Sequence, residues 1–214
     1  DGFHELAMVM QSINLSDLIS FKYRSDANIT LSSDDINLSN GEDNLIIRAA
    51  KLLRNYSQNS QLGADIKLTK KIPVGAGLAG GSSDAAATLY GLNLLWELGL
   101  SNNFLESMSS ELGSDVPFCL SGGTQICFGR GEILEKSQLS TKSLGIVLLK
   151  DPLTSVSTPV AYSEFKKKYE SKYIKIEEEY ELRRNKLRNS DWLKKSNLLN
   201  LPPLQNDLED IIAP

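Results

Sequence analysis

Residues 73–87 read Pro73-Val74-Gly75-Ala76-Gly77-Leu78-Ala79-Gly80-Gly81-Ser82-Ser83-Asp84-Ala85-Ala86-Ala87. The run contains four glycines and two serines, follows a strand-like segment at Ala64–Thr69 and precedes a helical pattern. Glycine lets a backbone turn tightly enough to direct successive N–H groups at one anion. The helix behind it adds free N–H groups and the positive end of its dipole. A plain turn needs only one or two glycines, so the run predicts a phosphate-binding loop and hence a nucleotide.

Three well-known nucleotide loops fit this context poorly. Gly75, Gly77 and Gly80 match the dinucleotide fingerprint, which requires a second strand with an acidic end about 20 residues later. At that position this chain has Trp96–Leu100, which read as the end of a helix. A Walker A loop requires lysine after its last glycine, where Ser82 stands. A protein-kinase loop is followed by a strand. A dinucleotide oxidoreductase therefore stays a remote alternative.

The run instead resembles the Pro-x-x-x-Gly-Leu-Gly/Ala-x-Ser-Ser motif of the GHMP small-molecule kinases. The doubled glycine before Ser-Ser is similar to that of members whose acceptor alcohol carries a cytidine diphosphate group. The resemblance covers residues 1 to about 160 and returns at Asn206. Five further segments agree in order and spacing: Asp1–Leu6, Glu42–Ala50, Leu112–Phe118, Ser157–Pro159 and Asn206–Glu209.

The resemblance implies an α+β fold with two domains. Residues 1–149 would form a ribosomal-protein-S5-like, ATP-binding N-terminal domain, and residues 150–214 part of a ferredoxin-like C-terminal domain. The family has a Pro-Ala-Lys-x-Asn motif upstream of the segment that begins at Asp1 and a third, glycine-rich motif near its C-terminus. Neither is present here. We therefore expect a chain that is truncated at both ends.

The activity implied by the resemblance is ATP-dependent phosphorylation of the 2-hydroxyl of a cytidine diphosphate derivative, in isoprenoid-precursor synthesis. ATP and Mg²⁺ would be the cofactors, and the bacterial cytoplasm or a plastid stroma the compartment. No metal ligand is assigned. The ATP-binding residues would be Pro73, Val74, Gly75, Ala76, Gly77, Leu78, Ala79, Gly80, Gly81, Ser82 and Ser83.

Two residues near predicted helix starts are candidates for the chemistry. Asp115 lies in Gly-Ser-Asp-Val-Pro, which on its own also fits a helix-capping aspartate with Pro117 in the first turn. The resemblance implies that Asp115 contacts the substrate and takes the proton of its hydroxyl, helped by the lysine of the upstream motif. Ser83 could bind phosphate or magnesium, and could equally be an N-cap.

The base-binding residues rest on the resemblance alone. His4 is the only histidine, and a lone histidine is usually structural or solvated. The family places an aromatic residue and a histidine against cytosine, which here implies Phe3 and His4, although most members have tyrosine where Phe3 stands. Tyr162 matches the aromatic residue on the other face of the base, and Thr158 a neighbouring substrate contact. Aromatic faces bind a base, while selectivity needs contacts with its edge.

Two alternatives stay open. The first is a GHMP kinase with another small-molecule alcohol as acceptor. The second is a nucleotide-binding module that is inactive because the upstream lysine motif is absent.

Composition excludes several other classes of protein. The chain has 214 residues, a net charge of −4 and a pI near 5.2, which argues against nucleic-acid binding. No apolar run approaches the roughly 18 residues of a membrane span. Cys119 and Cys127 are too few for a zinc site or a disulfide framework, so we expect two buried thiols.

Periodicity predicts the elements around the loop. Antiparallel strands are expected at 6–13, 18–23 and 28–31, and further strands at 123–129 and 144–149, with a turn at Gly129–Gly131. A helix capped by Asp43 or Asn44, a helix behind the loop and a third at about 103–112 are also expected. Residues 165–195 predict an amphipathic helix with a solvated, charged face, or less often a partner-binding helix. The residues at roughly helical spacing there are Tyr169, Tyr173, Ile176, Tyr180 and Leu187. The apolar stripes would be Leu45, Ala49, Leu52 and Tyr56 in the first helix, and Ala85, Leu89, Leu92 and Trp96 in the second.

Overall fold

The computed structural model describes residues 4–137, 145–151, 157–194 and 205–212. Phe3 lies outside these residues. The described chain forms two compact units, one of Gln11–Gly123 and one of Asp1–Met10 together with Thr124–Pro214. The strands are β1 (Leu6–Gln11), β2 (Leu18–Arg24), β3 (Ile29–Ser33), β4 (Gly63–Thr69), β5 (Thr124–Gly129) and β6 (Ile133–Lys136); the helices are α1 (Leu45–Ser57), α2 (Gly80–Leu95), α3 (Asn102–Ser109), α4 (Val116–Ser121), α5 (Thr158–Tyr169), α6 (Glu177–Arg188), α7 (Asp191–Lys194) and α8 (Glu209–Ile212).

The unit Gln11–Gly123 contains a three-stranded sheet in the order β2-β4-β3. Strand β2 is antiparallel to β4, with Phe21 opposite Ile66, whereas β3 is parallel to β4, with Leu31 opposite Ile66. The expectation of antiparallel pairing among the first three strands is wrong, because β2 and β3 flank β4 and β1 belongs to the other sheet. The helix α1 between β3 and β4 provides the crossover that parallel strands require.

The two long helices of this unit cover the sheet. Asn44 caps α1 by accepting a hydrogen bond from Ile46 N at 2.9 Å. This residue is one of the two caps predicted for the helix, Asp43 or Asn44. The predicted stripe of α1 is displaced, since Tyr56 is exposed and the face towards the core carries Ile46, Ile47, Ala49, Ala50 and Leu53. The predicted stripe of α2 is confirmed, because Ala85, Leu89, Leu92 and Trp96 are all buried.

The other unit has a sheet in the order β1-β5-β6. Strands β5 and β6 form a hairpin over Gly129 and Gly131, which have φ of 67° and 112°, so the predicted turn is confirmed. The second strand of that hairpin is β6 and not the predicted strand at 144–149. Residues 145–150 carry no strand, and their apolar members, from Ile146 to Leu149, are exposed; residue 144 lies outside the described chain.

The predicted amphipathic helix at 165–195 is broken into pieces. Helix α5 ends at Tyr169, a 3-10 turn covers Glu170–Lys172, and α6 begins only at Glu177. Its charged face is not simply solvated, since Arg184 forms an ion pair with Glu5 and Arg188 forms one with Glu135 on β6. Both pairs lie within one unit and attach α6 to the sheet that it covers.

The compact units divide the chain after Met10 and after Gly123, whereas the resemblance placed a domain boundary between residues 149 and 150. Strand β1 pairs with β5 and therefore groups with the C-terminal residues. The family-based boundary stays a prediction. Among the described helices, none is both long and apolar enough to cross a membrane.

Candidate active site

The glycine-rich loop between β4 and α2 adopts backbone angles that few residues tolerate. Gly75 and Gly77 have φ of 67° and 68°, and Ala79 has φ of 53°. A Cβ atom at Gly77 would meet no other atom within 4 Å, so glycine is required there by the backbone angle and not by crowding. Residues 73–79 are all exposed or half-buried. The loop therefore curls in front of the helix with open space beside Gly77.

Helix α2 begins directly behind the loop and lacks a side-chain cap. Its N-cap residue is Ala79, and the first backbone bond of the helix runs from Ser83 N to Ala79 O at 2.8 Å. The N–H groups of the three preceding residues have no partner within the helix. By contrast, Asn44 caps α1 and Ser101 caps α3. The start of α2 can therefore receive an anion.

Ser83 lies inside the first turn of α2, so its interpretation as an N-cap is wrong. Its hydroxyl donates a hydrogen bond to Gly80 O at 2.8 Å. Because the proton is used in that bond, the oxygen offers lone pairs, which suit a cation better than a phosphate oxygen. The next residue, Asp84, is buried.

A buried cluster of three charged residues, Asp17, Lys70 and Asp84, lies beside the loop. Lys70 Nζ forms ion pairs with Asp17 Oδ2 and with Asp84 Oδ2, the latter at 3.1 Å, and the three side chains are 3–9% exposed. Asp17 Oδ1 also accepts hydrogen bonds from Lys71 N at 2.5 Å and Ile72 N at 2.8 Å. The cluster thus joins the residues before the loop to the start of α2.

Sequence reasoning missed this cluster. Its only visible signal is a lysine just before the loop and an aspartate just after Ser-Ser; Asp17 lies more than 50 residues earlier. Such distant pairing cannot be read from local periodicity.

The three groups of the cluster have unequal affinities for protons. Burial raises the pKa of Asp84 to about 6, although Lys70 opposes the shift. Burial would also raise the pKa of Asp17, but hydrogen bonds from Lys70 and from the backbone of Lys71 and Ile72 outweigh it and lower the pKa. Burial disfavours the Lys70 ammonium, yet its two carboxylate partners raise its pKa. Asp84 is therefore the member of the cluster that exchanges a proton closest to neutral pH.

Asp115 occupies the N-cap position of α4 without capping it. Its backbone is near helical, with φ of −86° and ψ of −12°, and its side chain makes no cap hydrogen bond. Pro117 lies in the first turn, as the sequence predicts. The carboxyl group is half-buried, and burial raises its pKa. The carboxylate is thus half-buried and lacks the capping bond that its sequence position suggests.

Asp115 and Asp84 both act on the thiol of Cys119. Burial, together with the charges of Asp115 and Asp84, raises the pKa of the Cys119 thiol to about 12. Helix α4 packs against α2, which begins at the loop. Asp115 therefore directly precedes a helix that packs against α2, and it acts on the same thiol as Asp84 does. Neither Cys119 nor Cys127 forms a disulfide; Cys127 is buried, as predicted, whereas Cys119 is only half-buried, so that part of the prediction is wrong.

The residues predicted to bind the base belong to the other unit. Thr158 is exposed in the first turn of α5, ahead of Pro159. Tyr162 follows one turn later, and its ring centroid lies 4.8 Å from that of His4, with the planes tilted by 33°. The structure therefore brings together His4 and Tyr162, which are far apart in sequence. Burial and the nearby charge of Lys166 both lower the pKa of His4.

Tyr173 is a contact of His4 that the sequence analysis did not single out for binding. Its hydroxyl lies 2.6 Å from His4 Nδ1. The sequence pattern placed Tyr173 on the apolar stripe of a continuous helix. The break after Tyr169 turns the residue towards His4 instead.

The Asn206 motif forms a capped turn. Asn206 Oδ1 accepts a hydrogen bond from Leu208 N at 3.0 Å, and α8 follows. Tyr169 on α5 donates a hydrogen bond to Asp210 Oδ2 at 2.8 Å. The motif therefore attaches α8 to the helix that carries Thr158 and Tyr162.

Comparisons with known proteins agree with this geometry. The model of the GHMP kinases N terminal domain matches residues 44–123, which include the loop and Asp115. A 4-diphosphocytidyl-2-C-methyl-D-erythritol kinase of Prochlorococcus marinus is 60% identical over 214 residues, which are all of this chain and 67% of that protein. A protein of the same name from Synechococcus sp. is 56% identical and is covered to 70%.

Solved structures show the same fold. The crystal structure of a 4-(cytidine 5'-diphospho)-2C-methyl-D-erythritol kinase matches 97% of this chain and 68% of its own, with a TM-score of 0.68 and 28% identity. A mevalonate kinase structure, at 14% identity and a TM-score of 0.60, supports the fold alone. With relatives this similar along its whole length, the chain belongs to the 4-diphosphocytidyl-2-C-methyl-D-erythritol kinase family of GHMP kinases.

Proposed function

We propose that this chain transfers the γ-phosphoryl group of ATP to the 2-hydroxyl of 4-diphosphocytidyl-2-C-methyl-D-erythritol, a step of isoprenoid-precursor synthesis. One observation carries the proposal: an uncapped helix start behind a loop of positive φ angles, together with a half-buried, uncapped aspartate before the helix that packs against α2. A phosphoryl transferase needs a phosphate grip, neutralisation of charge and a group that orients the acceptor. Because the relatives are bacterial proteins, we place the reaction in the bacterial cytoplasm.

The loop, residues 73–83, binds the phosphates of ATP. The free N–H groups at the start of α2 and its dipole stabilise the negative charge of the phosphates. The cluster of Asp17, Lys70 and Asp84 holds both ends of the loop, so these N–H groups are in place before the nucleotide arrives. Preorganised donors of this kind cost little reorganisation during the reaction.

Magnesium would be coordinated mainly by ATP. Among the described residues, no group of three metal-ligating side chains occurs. Kinase magnesium needs few protein ligands, because phosphates and water supply most of its six. Ser83 Oγ fits one such position, since its proton is donated to Gly80 O and its lone pairs are free for the cation. Bound magnesium would neutralise charge that develops on the transferring phosphoryl group.

Asp115 acts as the base for the acceptor hydroxyl. Burial raises its pKa, which makes the ionised form a stronger proton acceptor. The carboxylate is not used as a helix cap, so its oxygens can receive the hydroxyl proton. The proton moves from the substrate 2-hydroxyl to Asp115 while the hydroxyl oxygen attacks the γ-phosphorus of ATP. The bond between that phosphorus and the bridging oxygen breaks, and ADP leaves with its electron pair.

The cytosine base binds near His4 and Tyr162. Tyr162 offers an aromatic face and His4 an imidazole edge, and the two rings lie together although 158 positions separate them. Thr158 starts the same helix and contacts the substrate beside the base. Phe3 supplies the second aromatic face, as the family resemblance implies.

The test is a substrate titration followed by a turnover assay. We expect calorimetry to show saturable binding of 4-diphosphocytidyl-2-C-methyl-D-erythritol, weakened by His4→Ala. We expect phosphorus NMR to show ATP-dependent phosphorylation of the 2-hydroxyl. Asp115→Asn should lower kcat by about 10²–10⁴ with binding retained, because the amide cannot take the proton. Asp65→Asn is the matched control, since Asp65 is exposed and the amide oxygen can still accept from Thr30.

Three outcomes would contradict the proposal. Full turnover by Asp115→Asn would remove the assigned base. Equal phosphorylation of other small alcohols would favour a GHMP kinase with a different acceptor. Tight ATP binding without turnover of any alcohol would favour a nucleotide-binding module.

A further inference from the structure

Tyr173 follows the 3-10 turn of residues 170–172 in an extended conformation and points its hydroxyl at His4. Phe165 on α5 packs edge-on against the Tyr173 ring, with centroids 6.3 Å apart and planes at 63°. The His4 ring contacts Tyr162 and Tyr173 at centroid distances of 4.8 Å and 5.6 Å. Contact with Tyr162 therefore restricts the orientation of the imidazole plane, and the hydrogen bond with Tyr173 restricts rotation of the ring.

The direction of this hydrogen bond follows from its length and from the two groups. The distance of 2.6 Å between the hydroxyl oxygen and His4 Nδ1 is shorter than N–H···O bonds usually are and lies in the range of O–H donors. Burial raises the pKa of Tyr173, so the phenol keeps its proton. Burial lowers the pKa of His4, which keeps the imidazole neutral near pH 7. The tyrosine therefore donates, and Nδ1 accepts.

A neutral imidazole whose Nδ1 accepts must carry its proton on Nε2. We propose that Tyr173 is a positioning residue that fixes His4 as the Nε2–H tautomer, so that His4 presents a hydrogen-bond donor to the edge of the base. This proposal rests on the proposed function, in which His4 contacts cytosine. Without Tyr173 the imidazole would exchange between two tautomers, only one of which offers that donor.

A fixed donor discriminates between pyrimidines. The ring nitrogen N3 of cytosine accepts a hydrogen bond, whereas N3 of uracil carries a proton. A donor opposite N3 is satisfied by cytosine and opposed by uracil, and an unsatisfied buried donor costs affinity. Tyr173 would therefore influence base selectivity without touching the base.

The experiment uses the fact that the chain has a single histidine, so its imidazole ¹⁵N signals need no assignment. Long-range ¹H–¹⁵N spectra of the free chain should show an unprotonated Nδ1 and a protonated Nε2. Tyr173→Phe should move both nitrogens towards the average of the two tautomers. Tyr180→Phe is the matched control, because its hydroxyl donates to Ile174 O at 3.0 Å in the same segment; it should leave both signals in place.

Titrations with cytidine diphosphate and uridine diphosphate complete the test. We expect Tyr173→Phe to weaken cytidine diphosphate binding about tenfold and to remove most of the preference over uridine diphosphate. In a His4→Ala background the same change should have no further effect, because Tyr173 acts through His4.

The proposal is overturned if the wild-type chain carries its proton on Nδ1, if Tyr173→Phe leaves the tautomer unchanged, or if Tyr173→Phe weakens binding equally in the His4→Ala background. Retention of full cytidine diphosphate affinity by His4→Ala, with the predicted tautomer present, would overturn the role of His4 in base recognition. That result would be distinguishable from a wrong tautomer, because the spectra of the free chain do not depend on substrate.

Discussion

Ala79 is the residue at which the loop stores backbone strain. It lies in the left-handed region, with φ of 53°, directly before the first residue of α2. An L-residue there costs about 1–2 kcal/mol relative to a right-handed conformation. The neighbouring Gly75 and Gly77 reach similar angles without that cost. The phosphate loop therefore keeps its shape at some expense of stability at one position.

We expect Ala79→Gly to raise the free energy of unfolding by roughly 0.5–1 kcal/mol, because relief of strain exceeds the added flexibility of the unfolded chain. Urea titration measures the change. Ala76→Gly is the matched control, since Ala76 lies in the same loop without a positive φ and should lose stability. Equal destabilisation by both changes would show that Ala79 is not strained.

The role of Asp115 could be predicted only in part from the sequence. Its position before Val-Pro correctly predicts the start of α4. The sequence cannot show whether the carboxylate caps the helix or is free for chemistry, because both uses place the same residue at the same position. Only the geometry, with its missing cap bond and partial burial, separates the two.

At the scale of elements, the buried cluster of Asp17, Lys70 and Asp84 connects β4 to α2 across the loop. One lysine faces two carboxylates, so the cluster carries an excess negative charge when both are ionised. Protonation of Asp84 removes that excess, which is consistent with the raised pKa of about 6. The element junction that holds the loop is therefore sensitive to pH.

The direction in which stability changes with pH follows from the raised pKa of Asp84. Because the pKa of Asp84 is raised to about 6 from its ordinary 3.8, the folded state binds the proton more tightly than the unfolded state. The contribution of Asp84 to the free energy of unfolding is thus fully present below about pH 4. It falls by roughly 1–3 kcal/mol as the pH rises through 6.

We expect the free energy of unfolding of the wild-type chain, relative to Asp84→Asn, to fall between pH 4 and pH 7. Urea titrations over that range give the difference at each pH. Asp17→Asn is the comparison, because the pKa of Asp17 is lowered and its contribution is lost only as the pH falls below about 4. A pH-independent difference for Asp84→Asn would show that Asp84 keeps an ordinary carboxyl pKa.

The elements themselves were partly predictable. The strand before the loop and helix α2 follow from the clear change of hydrophobic period at Thr69. The parallel pairing of β3 with β4 was not, because local pattern does not tell whether a strand pairs with its neighbour or across a helix. The break in the 165–195 helix was missed too, since Tyr173 and Ile176 continue the helical spacing although both have extended backbone angles.

Arg188 tests how α6 is attached to the sheet of its unit. Its guanidinium donates to Glu135 through Nε at 2.8 Å and Nη2 at 2.6 Å, and lies 4.6 Å from the Phe128 ring centroid. We expect Arg188→Ala to cost about 1–2 kcal/mol of unfolding free energy, since a two-point ion pair and a cation–π contact are lost together. Arg183→Ala, an exposed change on the same helix, should cost under about 0.5 kcal/mol. Similar losses for both would mean that the Arg188 contacts add nothing measurable.

At the scale of the whole molecule, one compact unit is inserted into the sequence of the other. Gln11–Gly123 form one unit, while Asp1–Met10 and Thr124–Pro214 form the other. Ser12 N donates to Gly123 O at 2.8 Å, so the two ends of the inserted unit lie side by side. Its core contains the large cluster of apolar side chains from the β2-β4-β3 sheet and helices α1 to α4. The other described core is small, with Ile126, Phe128 and Leu193 at its centre.

We therefore expect a fragment of residues 11–123 to fold alone, because it keeps its whole sheet, its core and adjacent ends. A fragment of residues 124–214 should not fold alone, because it lacks β1, leaves one edge of β5 unpaired and loses Val9 from its small core. Thermal unfolding followed by circular dichroism should be cooperative for the first fragment only, and size-exclusion chromatography should show association of the second. Cooperative unfolding of the isolated 124–214 fragment would mean that β1 is dispensable for its unit. An unfolded 11–123 fragment would mean that the large core is insufficient without the rest of the chain.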